Sequence, residues 1–180
     1  VKALLEQTEG SFKDLCLATI HTGARYKELR TARLSDYNAE AGTLLLKTKK
    51  GGGGGFRERV AVLSDAGNEF FKSLTHGKQP DDYLLEKAPG RPWKASEQTR
   101  PFKRAVEATQ QNTRRGDQLP DWASLYSLRH FHISQAVNAG ISLTDVAINC
   151  GTSVQMLERT YAKSTDEFKR QQLNRVELAV

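Results

Sequence analysis

Cysteine is scarce in this chain, with two in 180 residues, and methionine scarcer still, with one. Cys16 and Cys150 each stand in an apolar stretch with no metal-ligand spacing around them. That excludes a disulfide scaffold and a zinc finger, and suits buried thiols in a reducing compartment. No apolar run approaches the roughly 18 residues a membrane-spanning helix needs. The start, Val1-Lys2-Ala3-Leu4-Leu5-Glu6, lacks both a signal-type apolar core and an initiator Met, so it reads as a cut inside a longer protein. Apolar residues make up only 38% of the chain, yet aliphatic side chains are spread along its whole length. The chain is therefore globular rather than disordered, and its length fits one domain over residues 1–180.

What the sequence holds in excess is positive charge. It has 27 Lys and Arg against 21 Asp and Glu, a net +6 and a pI near 9.4. The surplus is concentrated: Arg91, Lys94, Arg100, Lys103, Arg104, Arg114 and Arg115 face only Glu97 and Glu107 in the same stretch. A basic stripe of this kind is the electrostatic footprint of a nucleic-acid binder, a solvated helix face with loop arginines being the alternative.

Local patterns predict a mainly α fold with a small antiparallel β-sheet (α+β). Ser11-Phe12-Lys13-Asp14 reads as a capping-box-like helix start, with Phe12, Leu15, Cys16 and Thr19 at helical spacing and Gly23 as the stop. A second short helix is expected over 24–32. Thr43–Lys50 and Arg57–Leu63 read as hairpin partners after a turn at 38–42. Gly51 to Gly55 between them form a tip that cannot bury side chains; a phosphate loop would need Lys and Ser or Thr after the last glycine, and Phe56-Arg57 stand there. Ser64-Asp65 opens a helix carrying Phe70, Phe71 and Leu74, and Ser96 is expected to cap another with Phe102, Ala105, Val106 and Thr109 on one face. Pro101 is tolerable there because it lies near the first turn. A polar loop over 110–121 follows. Helices are then expected over 125–139, 143–149, 153–161 and 165–178.

Three short stretches carry the chemistry when taken together. The first is Thr22-Gly23-Ala24-Arg25-Tyr26-Lys27-Glu28-Leu29, the second Tyr126-Ser127-Leu128-Arg129-His130, and the third Cys150-Gly151-Thr152-Ser153 with Arg159-Thr160-Tyr161-Ala162 beyond it. In order and spacing they resemble the catalytic domain of the tyrosine recombinases, the phage-integrase family, across essentially the whole chain. The family's corresponding patterns are a TG-x-R-x-x-E-L helix start, H-x-L-R-H, and an LGH-type turn ahead of a Tyr.

The resemblance implies that Arg25 and Arg129 are catalytic arginines and that Tyr161, 32 residues after Arg129, is the nucleophile. It also implies a catalytic lysine on the hairpin: Thr48-Lys49 matches best, with Lys50 second and Lys47 third. Chemistry agrees with these assignments. A tyrosine makes a phosphodiester bond that keeps the energy for religation. Two planar guanidiniums match non-bridging phosphate oxygens bidentately. A lysine can protonate the leaving 5′-oxygen.

The chain departs from the family pattern at two places. Tyr126 stands where the family has a histidine, and Thr152 where it has His or Trp; both can donate a hydrogen bond, but neither titrates near neutrality as an imidazole does. Both are kept as candidate catalytic residues. His130 matches the family's structural histidine, and His21 and His76 show no ligand spacing.

The resemblance thus implies a recombinase or integrase acting on double-stranded DNA in the cytoplasm, beside the nucleoid. An upstream core-binding domain would be missing here. It implies a homotetramer on DNA, with a monomer as the alternative for the isolated domain, and no metal, cofactor or membrane. Two other readings stay open. One is a non-catalytic DNA-binding module, since Ser142 to Ser153 and the following helix also read as a helix-turn-helix. The other is a type IB topoisomerase.

Overall fold

Leu15, Cys16 and Thr19 fall on one side of a helix, and all three are buried as their spacing requires. The computed structural model describes residues 1–49, 56–112, 118–161 and 170, with backbone alone at Lys49, Phe56 and Tyr161. The chain opens with a short helix that the spacing did not reveal, α1 (Lys2–Glu6), followed by α2 (Gly10–Thr22). Ser11 does not cap α2. Glu9 holds the cap position, and the Ser11 hydroxyl donates to the Lys87 carbonyl at 3.0 Å, tying the helix start to a distant loop. Gly23 ends α2 in the left-handed region, at φ +59°. The next helix, α3 (Tyr26–Leu29), is a single turn, shorter than the predicted 24–32.

Strands β1 (Tyr37–Asn38), β2 (Thr43–Lys49) and β3 (Phe56–Val62) form an antiparallel sheet in that order. Leu44 faces Ala61, Leu46 faces Arg59 and Thr48 faces Arg57 across the β2–β3 pair. Leu44, Leu46 and Ala61 are buried, whereas Val60 and Val62 are 50% and 62% exposed. The parity of β3 therefore inverts what hydrophobicity alone suggests: its valines face out and Arg59 faces in. Lys50 and the glycine run lie outside the described residues.

Ser64 caps α4 (Asp65–Ser73), accepting from the Gly67 amide at 3.2 Å as expected. The Pro/Gly-rich connector contains a small hairpin, β4 (Glu86–Ala88) with β5 (Arg91–Pro92), that the composition concealed; Trp93 after it is buried. Helix α5 (Thr99–Asn112) follows. Ser96 does not cap it: Ser96 sits in a turn at φ +64°, and its carbonyl, not its hydroxyl, accepts from Thr99 at 3.1 Å. Three further helices, α6 (Leu125–Asn138), α7 (Leu143–Cys150) and α8 (Val154–Tyr161), lie close to their expected bounds. Of the expected tail helix over 165–178, all but Arg170 lies outside the described residues.

Two apolar clusters result. The larger joins α2, the sheet, α4, α5 and the start of α6 through Leu15, Leu46, Phe71, Phe102 and Leu128. Each such side chain contributes ~1.5–3 kcal/mol when fully buried. The smaller joins α6, α7 and α8 through Ile133, Val146, Cys150 and Leu157. The end of α2 and the turn after α7 meet at the seam between them. No described helix is long and apolar enough to cross a membrane.

Candidate active site

Gly23 lets α2 turn sharply enough to deliver Arg25 to the start of α3, and the conformation is reserved for glycine twice over. Its φ is positive, and a Cβ there would lie 2.5 Å from the His132 ring and 2.9 Å from Cys150 Sγ. Arg25 is the residue before α3 in extended backbone. Its Nη1 donates to Glu28 Oε1 at 3.3 Å and its Nη2 to the Gly151 carbonyl at 2.7 Å, leaving the side chain 39% exposed.

Arg129 approaches the same turn from α6. It is 2% exposed, and its Nη1 donates to the carbonyls of Gly23 and Cys150, the latter at 2.7 Å. Arg129 stands in an otherwise apolar helix, between Leu128 and Ile133, and these two backbone carbonyls offset the cost of burying its charge. Burial, then the nearby charge of Arg25, pull its pKa below the usual guanidinium value. Its Nε is buried and has no hydrogen-bond partner among the described residues.

Glu28 holds the arrangement together. It is 2% exposed, and its carboxylate accepts four hydrogen bonds. Oε1 takes Arg25 Nη1 and, at 2.8 Å, the Thr48 hydroxyl; Oε2 takes the Arg25 amide at 2.8 Å and Arg59 Nη2 at 3.0 Å. Burial raises its pKa, but the Arg59 charge and these hydrogen bonds outweigh burial and hold the carboxyl below its ordinary range. Arg59 also donates through Nη1 to the Asn149 carbonyl.

Arg25, Arg57, Arg59, Thr48, Gly151 and Thr152 line an open cleft of about 800 Å³. Among the described residues its wall carries three guanidiniums and one carboxylate, that of Glu28, which is already engaged, and such a wall favours an anion such as a phosphodiester. Among the described residues no group of three His, Cys, Asp or Glu side chains could hold a metal ion.

Of the residues singled out in the sequence, Arg25, Arg129 and Thr152 therefore meet at one turn. Tyr126 is 52% exposed on α6, its ring 6.0 Å from Arg129 Cζ and edge-on to His130 at 4.8 Å. Lys47 is spent on a 2.5 Å ion pair with Asp36, away from the cleft. Lys49 ends β2 and Tyr161 ends α8; both side chains lie outside the described residues, as does all of Lys50.

The basic stripe divides. Arg100, Lys103 and Arg104 share the exposed face of α5, opposite buried Phe102, Ala105, Val106 and Thr109. Arg91 is bound to Glu97, which also takes Lys87 at 3.0 Å and the Lys94 amide at 2.8 Å. Lys94 is exposed, and Arg114 and Arg115 lie outside the described residues.

Sequence reasoning missed Arg57, Arg59 and the bridging part of Glu28. Arg59 shares strand parity with buried Ala61, which the alternating Val60 and Val62 conceal in the sequence.

A helical domain around a three-stranded antiparallel sheet, with two arginines tied to one turn, has the fold of a tyrosine-recombinase catalytic domain. The chain belongs to the phage integrase family, whose model matches residues 1–167. A search of curated proteins returned no match. Among solved structures, the Tn1549 transposon integrase in complex with transposon right end DNA is similar at TM-score 0.74 and 18% identity, over 97% of this chain and 63% of that one. XerA recombinase is similar at TM-score 0.70 and 17% identity, over 98% of this chain and 62% of that one. The catalytic domain of bacteriophage HP1 integrase is similar at TM-score 0.66 and 18% identity, over 99% of this chain and 92% of that one. At these identities the likeness is one of fold, and the chain spans less than two thirds of the first two.

Proposed function

We propose that this chain is the catalytic domain of a site-specific recombinase or integrase that cleaves and rejoins double-stranded DNA through a 3′-phosphotyrosyl bond. The observation that carries the reading is the pairing of Arg25 and Arg129 on consecutive carbonyls of the turn that bears Thr152, at the edge of an arginine-lined cleft.

In this reading the Tyr161 hydroxyl gives up its proton to water or to a non-bridging phosphate oxygen as its own oxygen attacks the scissile phosphorus. The bond to the 5′-oxygen breaks, and that oxygen leaves with a proton from Lys49. Arg25, with its guanidinium partly exposed, stabilises the charge that develops on the non-bridging oxygens, and Arg129 adds its positive charge from behind the same turn. Such donors are each worth roughly 3–4 kcal/mol in enzymes generally. Tyr126 and Thr152 supply neutral donors. A 5′-hydroxyl from a partner strand then attacks the phosphotyrosine, its proton returning to Lys49, and the Tyr161 phenolate leaves and takes up a proton. The exposed α5 face of Arg100, Lys103 and Arg104, together with Lys94, tracks the DNA backbone. Partner subunits assemble a tetramer on two sites.

Nicked suicide duplexes resolved on denaturing gels test the reading. A covalent protein–DNA adduct is expected, and strand exchange should require a second site. An adduct with relaxation of supercoils and no need for a paired site would mark a topoisomerase; DNA binding without an adduct would mark a binding module.

A further inference from the structure

Arg59 has no place in the steps above, yet it ties together Glu28 and the end of α7, the same two parts of the site that hold Arg25. Its Nη2 holds Glu28, its Nη1 holds the Asn149 carbonyl at the end of α7, and its Nε is buried without a partner. Gly151, the next residue but one along from Asn149, rests on it so closely that a Cβ would lie 2.5 Å from Arg59 Cδ and Nε. The Asn149 side chain completes the seam. Its Oδ1 accepts from the Val62 amide at 2.7 Å and its Nδ2 donates to the Val62 carbonyl at 3.2 Å, bonding it to the outer edge of β3.

One residue of the hairpin's second strand therefore touches both supports of Arg25: the carboxylate that receives Nη1 and the turn whose carbonyl receives Nη2. We propose that Arg59 is a positioning residue, a clamp that fixes Glu28 and the α7 turn relative to each other and so aims the Arg25 guanidinium into the cleft. The proposal rests on the recombinase reading for what Arg25 does, but the clamp itself is a statement about geometry. Arg59 does not serve as a third phosphate ligand in this scheme, since its side chain is only 12% exposed, against 39% for Arg25, and is held by Glu28 and Asn149.

Removing the clamp has a consequence that mere loosening of the fold would not have. Glu28 is deeply buried and is kept ionised against burial chiefly by the Arg59 charge. Among the described residues, the other charged or titratable groups around it are Arg25 on its own element, Arg57 on β3, which lines the same cleft, and Cys150 at the end of α7, with Arg129 from α6 behind Cys150. The Cys150 thiol is pushed up by burial and stays neutral, and Arg25 is partly in solvent. Without Arg59, Glu28 takes up a proton at higher pH, and a protonated Glu28 no longer holds Arg25.

The test compares the parent chain with Arg59→Met and Arg59→Lys, the second keeping a charge near Glu28 should the first fail to fold. Three quantities are measured: the rate of covalent adduct formation on a suicide duplex across pH, DNA affinity, and the Glu28 carboxyl titration by carbon NMR. Arg59→Met should form adduct about 10²-fold more slowly, the scale of a misplaced catalytic group, with DNA affinity little changed. It should gain an acidic limb in its pH–rate profile, and Glu28 should titrate above the ordinary carboxylate range. Arg59→Lys should remove most of that limb while recovering only part of the rate, because an ammonium cannot fork to Asn149 as well. A folded Arg59→Met with the parent's rate, pH profile and Glu28 titration would overturn the proposal. If the parent forms no adduct, the recombinase reading falls, and the Glu28 titration still decides on the clamp: a shift upholds it, and none defeats it.

Discussion

Arg129 donates to the carbonyl of Cys150, and Arg25 donates to the carbonyl of the next residue, Gly151. Two cations from opposite parts of the chain thus grip adjacent peptide groups, one from inside the core and one from the cleft. Gly23, just before Ala24 and Arg25, gives its own carbonyl to Arg129, so the segment that delivers one arginine also anchors the other.

The two should respond differently to substitution. Arg129→Met leaves two buried carbonyls without their donor, at about 1–3 kcal/mol each, so both thermal stability and adduct formation should fall. Arg25→Ala removes a side chain that is 39% exposed, so water can replace its bonds, while the residue-25 amide, Thr48 and Arg59 still hold buried Glu28. Its melting temperature should hold, while its adduct rate falls by roughly 10²–10³-fold. Melting curves paired with cleavage rates check this, and equal stability losses would contradict it.

Gly151→Ala should be worse than a backbone penalty alone. Gly77 has a similar φ, +72°, and a Cβ there would meet nothing within 4 Å, so Gly77→Ala reports the left-handed cost by itself, roughly 1–2 kcal/mol. Gly151→Ala adds the collision with Arg59. Urea denaturation should show that excess, and an Arg59→Ala background should abolish it, as a double-mutant cycle would reveal.

How far the site could be read from sequence follows from these interactions. Arg25, Arg129 and Thr152 were legible because each sits in a short motif, two of them beside a glycine turn, and motif order carried them together. Arg59 was not. It pairs with Glu28 across the sheet edge, and no local period encodes such a pairing. The valines beside it, exposed at positions 60 and 62, also point any hydrophobic reading of β3 the wrong way. The caps at Ser11 and Ser96 were misread for a related reason. Each has the residue type of a cap, but one hydroxyl is taken by Lys87 and the other residue lies in a left-handed turn. The α5 face was legible as periodicity, whereas the neutralising grip of Glu97 on Arg91 depends on how the β4–β5 hairpin folds back.

That division sets the expected salt dependence of DNA binding. If Arg100, Lys103 and Arg104 each bind a phosphate, replacing all three by Ala should flatten the log–log salt slope by roughly 0.9 per phosphate released. Arg91→Ala should change the slope less, since its charge is already paired. An unchanged slope in the triple variant would place the DNA face elsewhere.

His132 offers a check on the packing behind the turn. Its Nδ1 lies 2.7 Å from the Ile20 carbonyl, which can only accept, so the proton sits on Nδ1. Burial above all, and then the Arg129, His21 and Arg59 charges, lower its pKa against the opposing Ile20 hydrogen bond. The unfolded chain therefore binds this proton first, and stability should decline as pH falls below about 6.5. Nitrogen NMR should find neutral His132 with its proton on Nδ1 below that pH, and His132→Asn should flatten the decline. Titration at or above the ordinary histidine value would contradict the packing.

The most direct test of the recombinase reading is to find the atom that carries the DNA. The chain is reacted with a nicked suicide duplex, digested with protease and nuclease, and the peptides are sequenced by mass spectrometry. The expected result is a nucleotide joined through its 3′-phosphate to Tyr161, absent from the Tyr161→Phe variant, which should fold and bind DNA as the parent does. A nucleotide on any other residue, or an adduct that survives in Tyr161→Phe, would contradict it.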